Sequence, residues 1–109
     1  MTSPMKLGVD ARSLLAGKPR GEGKTLLRLY QEIARLRPEW AVTFFNQGPA
    51  QKSLPLPEGA AVVEMDPPGF RFNAWENVAV PLRLARDGFD LYHAASSTSP
   101  KWTLTPVVM

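Results

Sequence analysis

A strand, a glycine-rich loop and an amphipathic helix follow one another at the start of the chain, and this unit constrains the fold more than any other stretch. Met5-Lys6-Leu7-Gly8-Val9-Asp10 reads as a short, mostly buried strand. Ala11 to Gly23 holds Gly17, Pro19, Gly21 and Gly23, the composition of a loop. From about Lys24 to Arg37 the apolar residues Leu26, Leu29, Tyr30, Ile33 and Leu36 have the spacing of one helix face. A glycine loop running into a helix N-terminus is a natural anion site, because free backbone N–H groups and the positive end of the helix dipole point the same way. Lys18, Arg20 and Lys24 lie beside those glycines and suit a phosphate or an acidic ligand.

Downstream, strands and helices alternate. Arg37-Pro38-Glu39-Trp40 is a helix stop. Ala41 to Phe45 and Ala60 to Met65 read as strands, separated by a Pro-, Gly- and Ser-rich loop over Gln47 to Gly59. A second helical stretch spans about Arg71 to Arg86, with Phe72, Trp75, Ala79, Leu82 and Ala85 on one face. Pro81 conflicts with one straight helix, so the sequence predicts a kink or two short helices with Pro81 in the first turn of the second. Asp87-Gly88 is a glycine C-cap. Phe89 to His93 is a fourth strand, Ala94 to Thr105 a polar loop, and Pro106 to Met109 the start of a fifth strand. The order β-α-β-β-α-β-β predicts a Rossmann-like α/β fold with a mostly parallel sheet covered on both faces. A terminal strand with nothing after it to cover the sheet predicts that residues 1–109 are the incomplete first half of a larger domain. The structural alternative is an edge strand closing a small complete domain.

Composition narrows the chemistry. The 109 residues contain no Cys and one His, which argues against a disulfide framework and a transition-metal site. The net charge of +3 comes from charges that alternate in sign, as on a solvated surface. No basic run interleaved with aromatics points to nucleic acid. The N-terminus lacks the apolar stretch of a signal peptide, and no segment approaches the ~18 apolar residues that span a bilayer. A cytoplasmic location is the expectation, with peripheral membrane contact left open.

Three places carry candidate chemistry. Gly21-Glu22-Gly23-Lys24-Thr25 resembles the end of a phosphate-binding P-loop, but Lys18 stands where the motif needs its first glycine. Two other readings remain: glycines that only let the loop turn, and a glycine loop that lets a ligand approach the backbone closely. Asp10 closes the first strand, and in a parallel sheet the ligand crevice lies at the carboxyl ends of strands, where the strand order reverses. With the strand order 3-2-1-4-5, the Gly21–Gly23 loop and His93 flank that crevice. His93 ends the fourth strand ahead of Ser96-Ser97-Thr98-Ser99, and a near-neutral imidazole can bind a hydroxyl or a phosphate. The competing reading of His93 is a hydrogen-bonded structural histidine, and that of the hydroxyl run is capping and turn formation.

These residues also resemble a family. Met-Lys-Leu-Gly-Val-Asp-Ala-Arg-Ser-Leu-Leu (Met5–Leu15) looks like the opening of GT-B glycosyltransferases of family 4, with Gly21-Glu22-Gly23-Lys24-Thr25 at the family's loop-helix start. Trp75-Glu76-Asn77-Val78-Ala79-Val80-Pro81 is similar to its Trp-Glu-Gln-x-x-Leu-Pro helix, and Phe89 to Ala94 to its Asp-Leu-x-His strand end. Pro106-Val107-Val108-Met109 resembles the start of its Pro-Val-Val strand. The chain departs from many members at Ala95, where they carry a second His, and at Glu22, where they are apolar.

The resemblance implies the N-terminal, acceptor-side part of a retaining glycosyltransferase that uses a nucleotide-sugar donor and no metal or other cofactor. The C-terminal donor-binding domain is absent from these residues, so the chain alone is expected to be inactive. By residue, it implies Gly21 and Gly23 near the donor phosphates and acceptor, and His93, as the catalytic residue, near the reacting sugar. The reading of the loop and strand ends adds Lys24 beside the phosphates and Asp10, Ser96 and Ser97 toward the substrate. The acceptor is left unspecified, as a sugar, a lipid-linked sugar or a small molecule. The alternatives are a stand-alone phosphate- or nucleotide-binding module, a P-loop-like NTPase and an assembly domain using its exposed strand edge.

Overall fold

The computed structural model describes residues 5–12, 21–47, 56–57, 59–65, 75–95, 100 and 103–108. Five strands, β1 (Lys6–Asp10), β2 (Ala41–Gln47), β3 (Ala61–Met65), β4 (Leu91–His93) and β5 (Val107–Val108), form one sheet in the order β3-β2-β1-β4-β5. Every neighbouring pair is parallel. Helix α1 (Gly21–Leu36) connects β1 to β2. A π-helical segment, Trp75–Ala79, runs directly into α2 (Val80–Arg86) between β3 and β4. This is a Rossmann-like α/β fold, and its strand order is the one that places the ends of β1 and β4 side by side. Chain direction across the sheet reverses between β3 and β4. With right-handed crossovers, that reversal puts α1 and α2 on opposite faces.

The alternation of side chains along β1 divides the core in two. Leu7, Val9 and Ala11 face α1 and pack with Leu26, Tyr30 and Phe44. Gly8 faces the other way, where Phe45, Trp75, Val80, Leu84, Phe89, Tyr92 and Ala94 form the second cluster. A Cβ on Gly8 would lie 2.7 Å from Phe45, 3.1 Å from Leu84 and 3.3 Å from Tyr92. The missing side chain is what lets α2 sit close on the centre of the sheet.

Helix α1 differs from the sequence reading in two ways. Gly21 and Gly23 belong to its first turn and not to the preceding loop. Each glycine costs a helix ~1 kcal/mol relative to alanine. The apolar stripe nevertheless begins at buried Gly23 and continues through Leu26 and Tyr30, so packing overrides propensity. Leu29 and Leu36, placed on the buried face by their spacing, are instead exposed.

The second helix is rotated relative to its sequence pattern. Ala79, Leu82 and Ala85 were expected to share the buried face with Trp75, but the buried residues are Trp75, Glu76, Val80, Pro81 and Leu84. Leu82 is exposed. The π segment is the reason: a wider turn takes one extra residue and moves the buried position after Trp75 from 79 to 80, and Leu84 follows Val80 one α-helical turn later. Pro81 occupies the first turn of α2, as one of the two sequence-based alternatives had it. It has no N–H to return to the carbonyl of Asn77, and its ring crowds that carbonyl; widening the preceding turn relieves both. Gly88, at φ 68°, follows the C-cap Asp87 and ends α2 as expected. Phe72 lies outside the described residues.

Candidate functional site

The carboxyl ends of β1 and β4 meet at the point where strand order reverses, the position at which open parallel sheets form their ligand crevice. Register decides what each strand sends there. Val9 pairs with His93 and Gly8 with Tyr92. His93 therefore projects to the α1 face with Val9, while Asp10 and Tyr92 project to the α2 face. The two residues singled out as strand ends flank the crevice from opposite sides of the sheet.

On the α2 face, Asp10 is fully buried and grips Arg12 with both oxygens. Arg12 Nε donates to Asp10 Oδ1 at 3.0 Å and Nη2 to Oδ2 at 2.7 Å. The Arg12 backbone N–H donates to Oδ1 as well, at 3.1 Å, so Asp10 also shapes the turn after β1. The same Nη2 reaches Glu76 Oε1 at 3.2 Å, across 64 residues of sequence. Burial alone would lower the Arg12 pKa, but the hydrogen bond and charge of Asp10 and the charge of Glu76 outweigh it and raise it. The guanidinium lies 4.3 Å from the ring centre of Trp75, whose indole N–H donates to the Asn46 carbonyl at 3.1 Å. The end of β1, the end of β2 and the π segment are thus tied together by one ion cluster and one indole.

Tyr92 is buried beneath this cluster, and among the described residues its hydroxyl has no hydrogen-bond partner. Burial raises its pKa far above the ordinary tyrosine value; the charges of Asp10 and Glu76 add to the rise and Arg12 opposes it. On the α1 face, Tyr30 is raised by burial as well. Its hydroxyl lies 2.7 Å from His93 Nδ1. Burial lowers the His93 pKa, against a smaller opposing effect of Asp10.

The two tyrosines set the alkaline limit of the fold. Both keep their protons in the folded state at a pH where the unfolded chain, titrating near the ordinary value of ~10, has lost them. Stability is then fully present below pH ~10 and declines as pH rises beyond it. Urea midpoints measured from pH 8 to 11 should fall above pH ~10, and Tyr92→Phe should flatten that fall.

Among the remaining sequence-predicted residues, Lys24 is exposed on the first turn of α1. Ser96 and Ser97 lie outside the described residues. Arg12, Tyr30, Trp75, Glu76 and Tyr92 were not singled out as site residues from sequence. A signal existed for two of them: an Arg two residues after a strand-ending Asp, and a Glu beside the Trp of an apolar helix face. Among the described residues no group of three or more His, Cys, Asp or Glu is placed to hold a metal ion, and no helix is long and apolar enough to cross a membrane. A groove of about 520 Å³ is lined by the C-terminal half of α1 from Tyr30 onward, Trp40, Val42 and residues around Pro57, so Tyr30 borders both this groove and His93. Comparison with family models, curated proteins and solved structures gave no match to this chain.

Proposed function

We propose that this chain is the acceptor-side, Rossmann-like domain of a retaining GT-B glycosyltransferase of family 4, which transfers a sugar from a nucleotide-sugar donor. One observation carries the reading. Three of the stretches that resemble the family, distant in sequence, come together in space: Asp10 and Arg12 from the first strand and the turn after it, Trp75 and Glu76 from the helix, and Tyr92-His93 from the fourth strand. They do so at the switch point of a parallel sheet, the place such folds use for ligands. In this reading the Asp10–Arg12–Glu76 cluster is the frame that fixes the crevice. His93 contacts the reacting sugar, and Gly21, Gly23 and Lys24 at the start of α1 lie toward the donor phosphates. The donor's nucleotide is held by a facing domain, so the 109 residues alone leave nucleotide sugars unconsumed.

The test is a donor screen on the polypeptide as its source cell makes it, captured by an antibody to this segment. Release of nucleoside diphosphate from UDP- or GDP-sugars in the presence of mixed acceptors is the expected result. His93→Ala in the same polypeptide should lower it by ~10²-fold or more, the size of effect seen when one positioned polar group is lost. Absence of transfer from every nucleotide sugar, or steady turnover by the 109 residues alone, would overturn the reading.

A further inference from the structure

We propose that Tyr30 is a positioning residue for His93: its hydroxyl donates to Nδ1 and holds the ring in the Nε2–H form, so that His93 offers the crevice a hydrogen-bond donor and not a base. The inference rests on the proposed function only for what that donor meets, an oxygen of the sugar or of its phosphate.

The direction of the 2.7 Å contact follows from hydrogen-bond accounting. Tyr30 is 2 % exposed, and among the described residues its hydroxyl meets His93 Nδ1 and no other hydrogen-bonding group. If Nδ1–H donated to the tyrosine oxygen, the buried O–H would be left without an acceptor, at a cost of ~1–3 kcal/mol. If the O–H donates to the Nδ1 lone pair, both groups are satisfied. The remaining proton of a neutral ring then sits on Nε2, which no described residue engages. Burial keeps the tyrosine protonated and the imidazole neutral near pH 7, so both partners are in the states this arrangement requires. The ring is also fixed by packing: the Tyr30 and His93 centroids lie 5.8 Å apart, and Tyr30 stands edge-on to Phe44 at 5.6 Å. The side chain two turns into α1 therefore sets which nitrogen of a β4 residue carries the proton.

His93 is the one histidine in the sequence, so ¹⁵N spectra of the imidazole report a single ring. In the intact chain at pH 8 the expected pattern is a protonated Nε2 and an unprotonated, hydrogen-bonded Nδ1. A protonated Nδ1 would overturn the proposal. Tyr30→Phe keeps the ring packing and removes the donor. The Nδ1 resonance should then shift to its unbonded position and the His93 pKa should rise, because a donor to Nδ1 stabilises only the neutral ring. If Nδ1 were instead the donor, its bond to the tyrosine oxygen would survive protonation, and the same substitution would lower the pKa or leave it unchanged. The other charge acting on the ring, Asp10, is the same in both proteins. Should Tyr30→Phe fail to fold, the unmodified chain still decides the tautomer. An Nε2–H ring in a protein that transfers no sugar would leave the Tyr30 inference standing and remove the glycosyltransferase reading. An Nδ1–H ring in an active transferase would do the reverse.

Discussion

Replacing Arg12 with alanine should cost the fold ~3–5 kcal/mol, the loss expected when one partner of a buried ion pair is removed. Asp10 is 0 % exposed and Glu76 4 %, so neither carboxylate has bulk water to fall back on. Asp10 would keep a backbone N–H from residue 12 but lose the two side-chain bonds at 3.0 and 2.7 Å. The substitution also removes the cation stacked on Trp75, a contact worth ~0.5–2 kcal/mol depending on desolvation. A domain of this size has ~5–15 kcal/mol of total stability, so the variant should sit near the edge of folding. Urea denaturation reads this as a lower midpoint at an unchanged slope. Two controls separate charge from packing. Adding Asp10→Asn and Glu76→Gln to Arg12→Ala should recover part of the loss, because the neutral amides are far cheaper to bury than carboxylates. Arg12→Lys should recover less than a like-for-like charge suggests, because an ammonium cannot reproduce the two-pronged grip on Asp10. A loss under 1 kcal/mol in Arg12→Ala would show that the cluster is solvated and does not frame the crevice.

Trp75→Ala should be as damaging, at ~3–5 kcal/mol. Trp75 is fully buried and heads the large side chains of the core on the α2 face. Its loss opens a cavity under the π segment, strips the flat surface from beneath Arg12 and leaves the Asn46 carbonyl without the indole donor at 3.1 Å. At ~4–8 °C per kcal/mol, the melting temperature should drop by more than ~10 °C. Trp75→Phe should retain most of the packing and lose mainly the hydrogen bond, worth ~1 kcal/mol. If the two variants melted together, the hydrogen bond to β2 and not the ring volume would be the dominant contribution. Trp75→Ala and Arg12→Ala should not be additive, because the two side chains touch.

Much of this architecture was legible along the chain. The alternation of strand-like runs with one amphipathic stretch and one proline-broken stretch is a local property, and it carried the α/β fold, the parallel sheet and the stop at Gly88. That Pro81 breaks the regular helix was legible for the same reason, since a missing N–H acts within one turn, and its place in the first turn of α2 matches one of the two sequence-based alternatives. The rotation of α2 was not. Whether the turn before Pro81 widens depends on Trp75 and Glu76 finding places against Asn46 and Arg12, contacts reaching across 29 and 64 residues. The helical first turn at Gly21 and Gly23 was likewise hidden, because glycine propensity points to a loop and only packing reverses it.

The candidate site shows the same division. Reading along the chain is enough to place Asp10 and His93 at strand ends and to find a single imidazole. Their projection from opposite faces, the commitment of Asp10 to Arg12, and the pairing of His93 with Tyr30, a member of an apolar stripe, emerge only once the chain is folded. The physical reason is range. Strand and helix formation follow from neighbours a few residues apart, whereas a side chain's partner depends on register between strands such as Val9 and His93, which nothing local to either strand encodes.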